Sequence, residues 1–453
     1  MQSTLVGRSV LPAIWQLAWP LFITYLFSSA IGLVDSYLAS FLGSVAQSAL
    51  GIADQVIFMT VMAGTGLSVG VVALVSRSVG AADRRQAIAY SRDSILLAIV
   101  VGAAATLSGV LFADLVFERL AVGPEVAALG ARYLRICSFA NLPFVVAMCL
   151  SAIFRSFNRP QVSLYLWVVT ASVSIGLSLL LFYGLLPGAA RSLDAFSLSW
   201  LAGSYVGASA GLVWLGCLLG PDVWLCRDLK AAGGRVLELI AVALPAVVTE
   251  VVWVGSNLCI YGLLSQLPNA VDYQAAWTVA IKIEETVALP PVMALSMAVA
   301  TIVGQNLGAG RAAYAYSLAC RAAVWGGVAM LVVGIAIGVF AEPCAQAFAH
   351  GSQTSVYTVD LLRAAPVTVP AMAFCLILFG AMEGAGRTVY PMMVNTATLT
   401  LFRLPAIAVV GVWLGAGSFG LSLALVISRV LCLAGAVVGF RNLRAGAPGA
   451  ITP

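Results

Sequence analysis

Four carboxylates of this chain lie in apolar surroundings where a charge is costly. Asp35 stands in IGLVDSYLA with apolar neighbours on both sides and no local cation, Glu250 in PAVVTEVVWV, and Glu284 and Glu285 in AIKIEETVALPP. An acid inside such a run must be hydrated, paired or protonated, and acids of this kind mark ion and substrate pathways. The chemistry open to Asp35 is exchange of a proton or a cation; the bland alternative is a carboxylate reaching water near the outer end of its helix. Asn257 follows Glu250 by seven residues, two turns along the same helical face. The two would hold a cation together, or Glu250 is simply a protonated, hydrogen-bonded helix residue. Lys282 and Glu285 are three apart and can pair on one face, while Glu284 points elsewhere. Glu284 is then either a silent member of that group or a free carboxylate facing a cavity, attractive to a cationic substrate. Asp54 lies closer to an outer interface and reads as an ordinary interfacial acid.

Other chemistries lack carriers. The nine cysteines (137, 149, 217, 226, 259, 320, 344, 375 and 432) fall mostly within apolar runs, with no CxxC, and the single histidine is His350. They read as small packing residues, so neither a metal site nor a disulfide framework is expected. No P-loop, no paired carboxylates in an aqueous domain and no nucleophile motif is present, so neither an ATP-driven pump nor an enzyme is expected, and no cofactor.

The elements that must position these acids are membrane helices. A mean hydropathy of +1.03, with 62% hydrophobic and 9% charged residues, leaves too little polar surface to cover a soluble globule. Apolar windows long enough to cross a bilayer fall at 12–39, 48–76, 90–113, 129–153, 161–187, 198–220, 237–264, 273–303, 316–340, 357–382, 391–413 and 419–440. The first is too long for a cleavable signal and is expected to be a retained helix. The second half repeats the first. Pro20 in LAWPLFITYL answers Pro245 in IALPAVVTEV, 225 positions on; VSRSVGAADR from Val75 answers VGQNLGAGR from Val303, 228 on; FNRP ending at Pro160 answers GRTVYP ending at Pro391, 231 on. The expected fold is an all-α polytopic membrane protein of about twelve helices in two pseudo-symmetric six-helix bundles, 1–222 and 237–453, joined by a cytoplasmic linker at 223–236. Two such halves describe a secondary transporter with its binding site where they meet.

The charge pattern sets an expected orientation. Loops assigned to one side carry fifteen basic residues, among them Arg84, Arg155, Arg235, Arg311 and Arg387; the other side carries five, Arg119, Arg132, Arg135, Arg191 and Arg363. The positive-inside rule then places both termini in the cytoplasm, and an even number of spans per half makes the repeat parallel. The basic residues are scattered over short loops, so no nucleic-acid partner is expected.

At this point the residues resemble a known family. GLVDSYLASFLG (Gly32 to Gly43), KIEETVALPPVMALSMAVATIVGQNLGAG (Lys282 to Gly310), EGAGRTVYP and FRLP (to Pro405) are similar to the multidrug and toxic compound extrusion family of cation-coupled efflux carriers. The resemblance covers nearly the whole chain. It implies a V-shaped pair of bundles around a central cavity in the cell inner membrane. It also implies antiport by alternating access: organic, cationic or amphipathic small molecules leave as a proton, ahead of sodium, comes in. The partners would be these small molecules and the lipid bilayer, for a monomeric carrier. Asp35 matches the family's first-helix aspartate. Counting back from Gly184, the fifth-helix acid and amide of one branch are replaced by Ser178 and Ser174, so Asp35 is expected to couple the ion with hydroxyl partners. The 357–382 window lacks the aspartate of some sodium-coupled members, which weakens a sodium site built on Glu250. The alternatives are a flippase for lipid-linked saccharide, which would need arginine and lysine in its cavity for a diphosphate, and an exporter dedicated to one natural product. Lys282, Arg403 and Arg429 are the cations expected within spans.

Overall fold

The computed structural model describes residues 10–119, 123–185, 192–223, 229–348 and 352–445, which are almost entirely helical and contain no strand. Helices α1 (Val10–Ser40), α2 (Ser44–Gly80), α3 (Arg84–Arg119), α4 (Pro124–Ser138), α5 (Asn141–Ser156), α6 (Pro160–Phe182) and α7 (Leu193–Leu219) make the first half. The second comprises α8 (Leu229–Leu264), α9 (Ala270–Ile283), α10 (Leu289–Gly308), α11 (Ala312–Val339), α12 (Ala341–Phe348), α13 (Ser352–Leu362), α14 (Ala365–Gly384), α15 (Val389–Thr396), α16 (Leu404–Ala406) and α17 (Gly417–Ala445). Every apolar window of the sequence falls on one helix or on two in succession. Among the described residues ten helices are long and apolar enough to cross a membrane, or eleven if α4 and α5, bent by 46° at their junction, form one broken span. The 37-residue α2 contains two further, shorter apolar stretches, Val45–Phe58 and Gly64–Gly80. Helices are the answer such sequences must give, because hydrocarbon supplies no partner for a free N–H or C=O.

Prolines perturb these helices at the charged positions. Pro290 and Pro291 bring no N–H to the helix, and the chain just before them widens into a π-helical turn, Glu284–Ala288. Pro405 sits in α16 between two π-helical runs, Ala397–Arg403 and Ile407–Trp413. Glu284 opens one of these runs and Arg403 closes another, so the backbone departs from α geometry beside intramembrane charges.

The repeat is present atom by atom. The α2–α3 turn closes with Ala82 at φ 58° and Asp83 N–H donating to Ser78 C=O at 3.1 Å; 228 positions on, Gly310 stands at φ 72° and Arg311 N–H donates to Asn306 C=O at 2.8 Å. Left-handed residues that return an N–H to the sixth-last carbonyl end helices in this way. Ser68 Oγ donates to Met148 C=O at 3.1 Å, and Ser296 Oγ to Leu376 C=O at 2.7 Å, again 228 on. Arg135 pairs with Asp114 at 2.5 Å, and Arg363 with Glu342 at 2.9 Å, at the same offset.

By internal contacts the described chain divides into one unit of 19–247 and another of 10–18 with 248–445. The divisions fall inside α1 and α8, within three residues of Pro20 and Pro245. In the second unit, Ala13, Ile14 and Leu17 of α1 pack with Val299, Val303, Ala319 and Phe440. In the first, the start of α8 is held to α3 by Arg235 on Asp93 at 2.6 Å and by Glu238 accepting from Tyr90. Gly70 of α2 lies against Leu239 and Ala243, where a Cβ would come within 3.0 Å of the Leu239 carbonyl. Of the stretch 223–236, residues 224–228 lie outside the described residues and α8 is already helical from Leu229.

Candidate functional site

In the first unit α1 and α6 bring Asp35 and Ser178 together. Asp35 is 8% exposed and accepts a hydrogen bond from Ser178 Oγ at 3.0 Å. Among the described residues no basic side chain pairs with it. Tyr133 and Cys137 of α4 are buried within electrostatic reach of Asp35, beside a cluster built from Leu38, Ala53, Phe117, Leu134 and Phe182. Ser174 departs from expectation. Its hydroxyl is buried without a hydrogen-bond partner and fills the space at Gly203 of α7 that a Cβ there would need, so it does not bond Asp35. The glycine makes room for it, and among the described residues the hydrogen-bond partner of Asp35 is Ser178 alone.

Asp54 is exposed on α2 and lies within electrostatic reach of this site. Its carboxylate on α2 acts on Asp35 by like-charge repulsion and also lies within reach of Tyr133. The sequence reading set it aside as interfacial; the packing of α2 against α4 brings it back. A second carboxylate therefore does stand near Asp35, supplied by α2 instead of the fifth span.

In the second unit Glu250 is half-buried on α8 and makes no hydrogen bond to Asn257. Seven residues along a helix rise about 10 Å, too far for two short side chains to share one ion. The group within electrostatic reach of Glu250 is instead Glu383, in the last turn of α14, which sequence reasoning did not single out. The signal was available: Glu383 opens the EGAGRTVYP motif that answers the segment around Arg155. Glu284 is not a free carboxylate. Arg429 of α17 donates to it at 2.9 Å, and Lys282 pairs with Glu285 at 3.0 Å as the spacing suggested. Arg403 is buried and donates through Nε to Ser428 Oγ at 2.9 Å. Lys282 and Arg429 are thus each paired with a glutamate and Arg403 bonds a serine, while the buried Nε of Arg429 has no acceptor among the described residues. Cys375 and Cys432 meet at 3.0 Å between sulfurs, and among the described residues no cluster of three or more metal-ligating side chains occurs.

Two repeat-related sets of apolar helices, each carrying carboxylates that have no cationic partner among the described residues, define a multi-pass membrane transporter. The MatE family model matches this chain twice, over residues 20–180 and 245–409, beginning at the two equivalent prolines. The chain belongs to this family. It is 25% identical to a probable multidrug resistance protein NorM of Rhodopseudomonas palustris, over 98% of this chain and 94% of that one. It is also 23% identical to a FAD transporter of Shewanella oneidensis, over 95% and 93%. A solved MOP superfamily transporter from Pyrococcus furiosus superposes with a TM-score of 0.85 at 19% identity, over 98% of both chains, a likeness of fold.

Proposed function

We propose that this chain is an antiporter of the inner membrane, with both termini cytoplasmic, that exports cationic or amphipathic organic molecules in exchange for protons. The observation that carries the reading is Asp35: a buried carboxylate whose only hydrogen-bond partner among the described residues is the neutral Ser178. Ionised, it accepts from Ser178 and ties α1 to α6; binding a proton removes the charge and weakens that tie. A helix contact with two ion-dependent strengths is the bistable element that coupling needs. Asp54 adds a second acidic position to the same surroundings. Sodium is the alternative ion, and oxygen ligands from Asp35 and Ser178 would suit it. The carrier works as a monomer in the bilayer and needs no cofactor. The flippase reading loses support because Lys282 and Arg429 are each paired with a glutamate and Arg403 with a serine. A carrier dedicated to one metabolite remains a second reading, favoured by the resemblance to a FAD transporter.

The test is transport by the purified chain in proteoliposomes loaded with a cationic rhodamine. A pH gradient should drive dye against its concentration, and a sodium gradient at constant pH should not. Transport driven by sodium alone moves the ion assignment, and movement without either gradient refutes antiport.

A further inference from the structure

Arg155 has no place in the Asp35 site, and the fold does not explain it as a loop cation. It lies in the last turn of α5, 5% exposed. Among the described residues its one hydrogen bond runs from Nη1 to Ser151 Oγ at 3.1 Å, and its buried Nε has no acceptor. Ser151 is engaged with Ser163 of α6, and Tyr25 of α1 is close enough to act on the guanidinium electrostatically. No carboxylate does so. A guanidinium offers five N–H donors, and buried charges are ordinarily paired and hydrogen-bonded.

Two structural explanations fail. Basic residues that orient a membrane protein reach the aqueous interface, and Arg155 is covered by protein. A cation in a last helical turn can complement the helix dipole, but the repeat shows that the position does not require this. The residue 228 positions on is Glu383, also in the last turn of its helix, where a carboxylate opposes the dipole. The chain ends both helices alike, with Asn158 at φ 60° and Gly386 at φ 74°, and Arg159 and Arg387 N–H returning to Phe154 and Met382. The neighbour is repeated too: Tyr25 lies 225 positions before Glu250, as Pro20 lies before Pro245. Tyr25 acts on Arg155 in one half and Glu250 acts on Glu383 in the other. The repeat therefore keeps two long polar side chains within electrostatic reach of each other, without a counter-charge among the described residues, and inverts the sign. A packing role would conserve shape and favour neutral residues; an uncompensated charge of either sign suits recognition of a charged ligand group.

We propose that Arg155, with Tyr25 and Ser151, is a recognition point for an oxyanion of the substrate, a carboxylate or a phosphate. The planar guanidinium grips such a group through two parallel N–H bonds, with Tyr25 and Ser151 lining its approach. The guanidinium is covered here, so the point is offered when the covering helices part. This deepens the transport reading and rests on it: the preferred cargo is amphoteric, carrying an anionic group as well as a cationic one.

The full chain in uncharged detergent is titrated by fluorescence anisotropy with rhodamine B, which has a free carboxylate, and with its ethyl ester. Arg155→Gln should weaken rhodamine B about ten-fold, the size expected for losing a charge-assisted contact, and shift the ester less than about two-fold. Arg155→Lys keeps the charge but loses the fork and should weaken rhodamine B about three-fold. Equal losses for both dyes, or none, overturn the proposal. If Arg155→Gln does not fold, Arg155→Lys decides, and unchanged rhodamine B binding by it overturns the proposal. In nanodiscs, displacement of rhodamine B by phosphatidylglycerol but not by phosphatidylcholine assigns the oxyanion to a lipid headgroup and overturns the substrate assignment. Gradient-driven transport of the ester by the unaltered chain is scored separately; its absence refutes antiport without touching the binding result.

Discussion

Replacing Asp93 should weaken the first unit more than any change to an exposed charge. The carboxylate is fully buried, with Arg92 Nη2 at 2.7 Å from one oxygen and Arg235 Nε at 2.6 Å from the other. Charge centres about 4 Å apart attract by about 4 kcal/mol at an effective dielectric constant of about 20, and desolvation offsets much of this. Removing the acid alone is different, because it leaves two guanidiniums, 12% and 19% exposed, without the carboxylate they share. Asp93→Asn should therefore cost about 3–5 kcal/mol. Arg235→Gln leaves Arg92 on the carboxylate and should cost about 1.5–3 kcal/mol. The assay is equilibrium unfolding in mixed micelles titrated with dodecyl sulfate, run as a double-mutant cycle. A coupling of about 1 kcal/mol or more is expected between the two sites. The consequence reaches beyond stability, since this cluster fastens the start of α8 to α3, and α8 passes to the other unit after Val247. Additive effects, or a cost for Asp93→Asn below about 1 kcal/mol, would refute the clamp.

Two further predictions concern the second half. Glu250→Gln should weaken cationic ligands selectively, because Glu250 has no cationic partner among the described residues, whereas Glu284→Gln should weaken cationic and neutral ligands alike by leaving Arg429 unpaired; isothermal titration with a matched pair of ligands distinguishes them, and equal selectivity changes would contradict the assignment. Gly384→Ala should destabilise the chain by about 1–3 kcal/mol, because an added Cβ would run into the backbone of Ala300 where α10 and α14 touch; a neutral result in the same unfolding assay would contradict that close approach.

The helices and the repeat were legible because both are local signals: apolar length for the first, Pro- and Gly-bearing motifs at steady offsets for the second. Asp35 stood out by its apolar neighbours, and the Lys282–Glu285 pair by its spacing. What stayed hidden depends on partners distant in sequence. Glu284 reads as either silent or free until Arg429, 145 positions on, is brought to it. Asp54 reads as interfacial, and is exposed, but its electrostatic reach to Asp35 depends on how α1 and α2 run together. Ser174 and Ser178 are equivalent as sequence, one turn apart, and only the glycine at 203 decides which hydroxyl turns away. Arg155 and Glu383 were obscured by standing next to turn motifs, where charges are usually solvated. The change of unit within α1 and α8 has no sequence signature beyond the two prolines, since it is set by what each half-helix packs against.

Asp35→Asn tests the central claim most directly. The amide keeps the size of the side chain and can still accept from Ser178, but it cannot take up or release a proton. In proteoliposomes with an imposed pH gradient, the variant should bind a cationic rhodamine within about three-fold of the unaltered chain, a difference under about 1 kcal/mol, and show near-zero gradient-driven transport of it. Undiminished gradient-driven transport by Asp35→Asn would contradict the account and move ion coupling to Glu250 and Glu383.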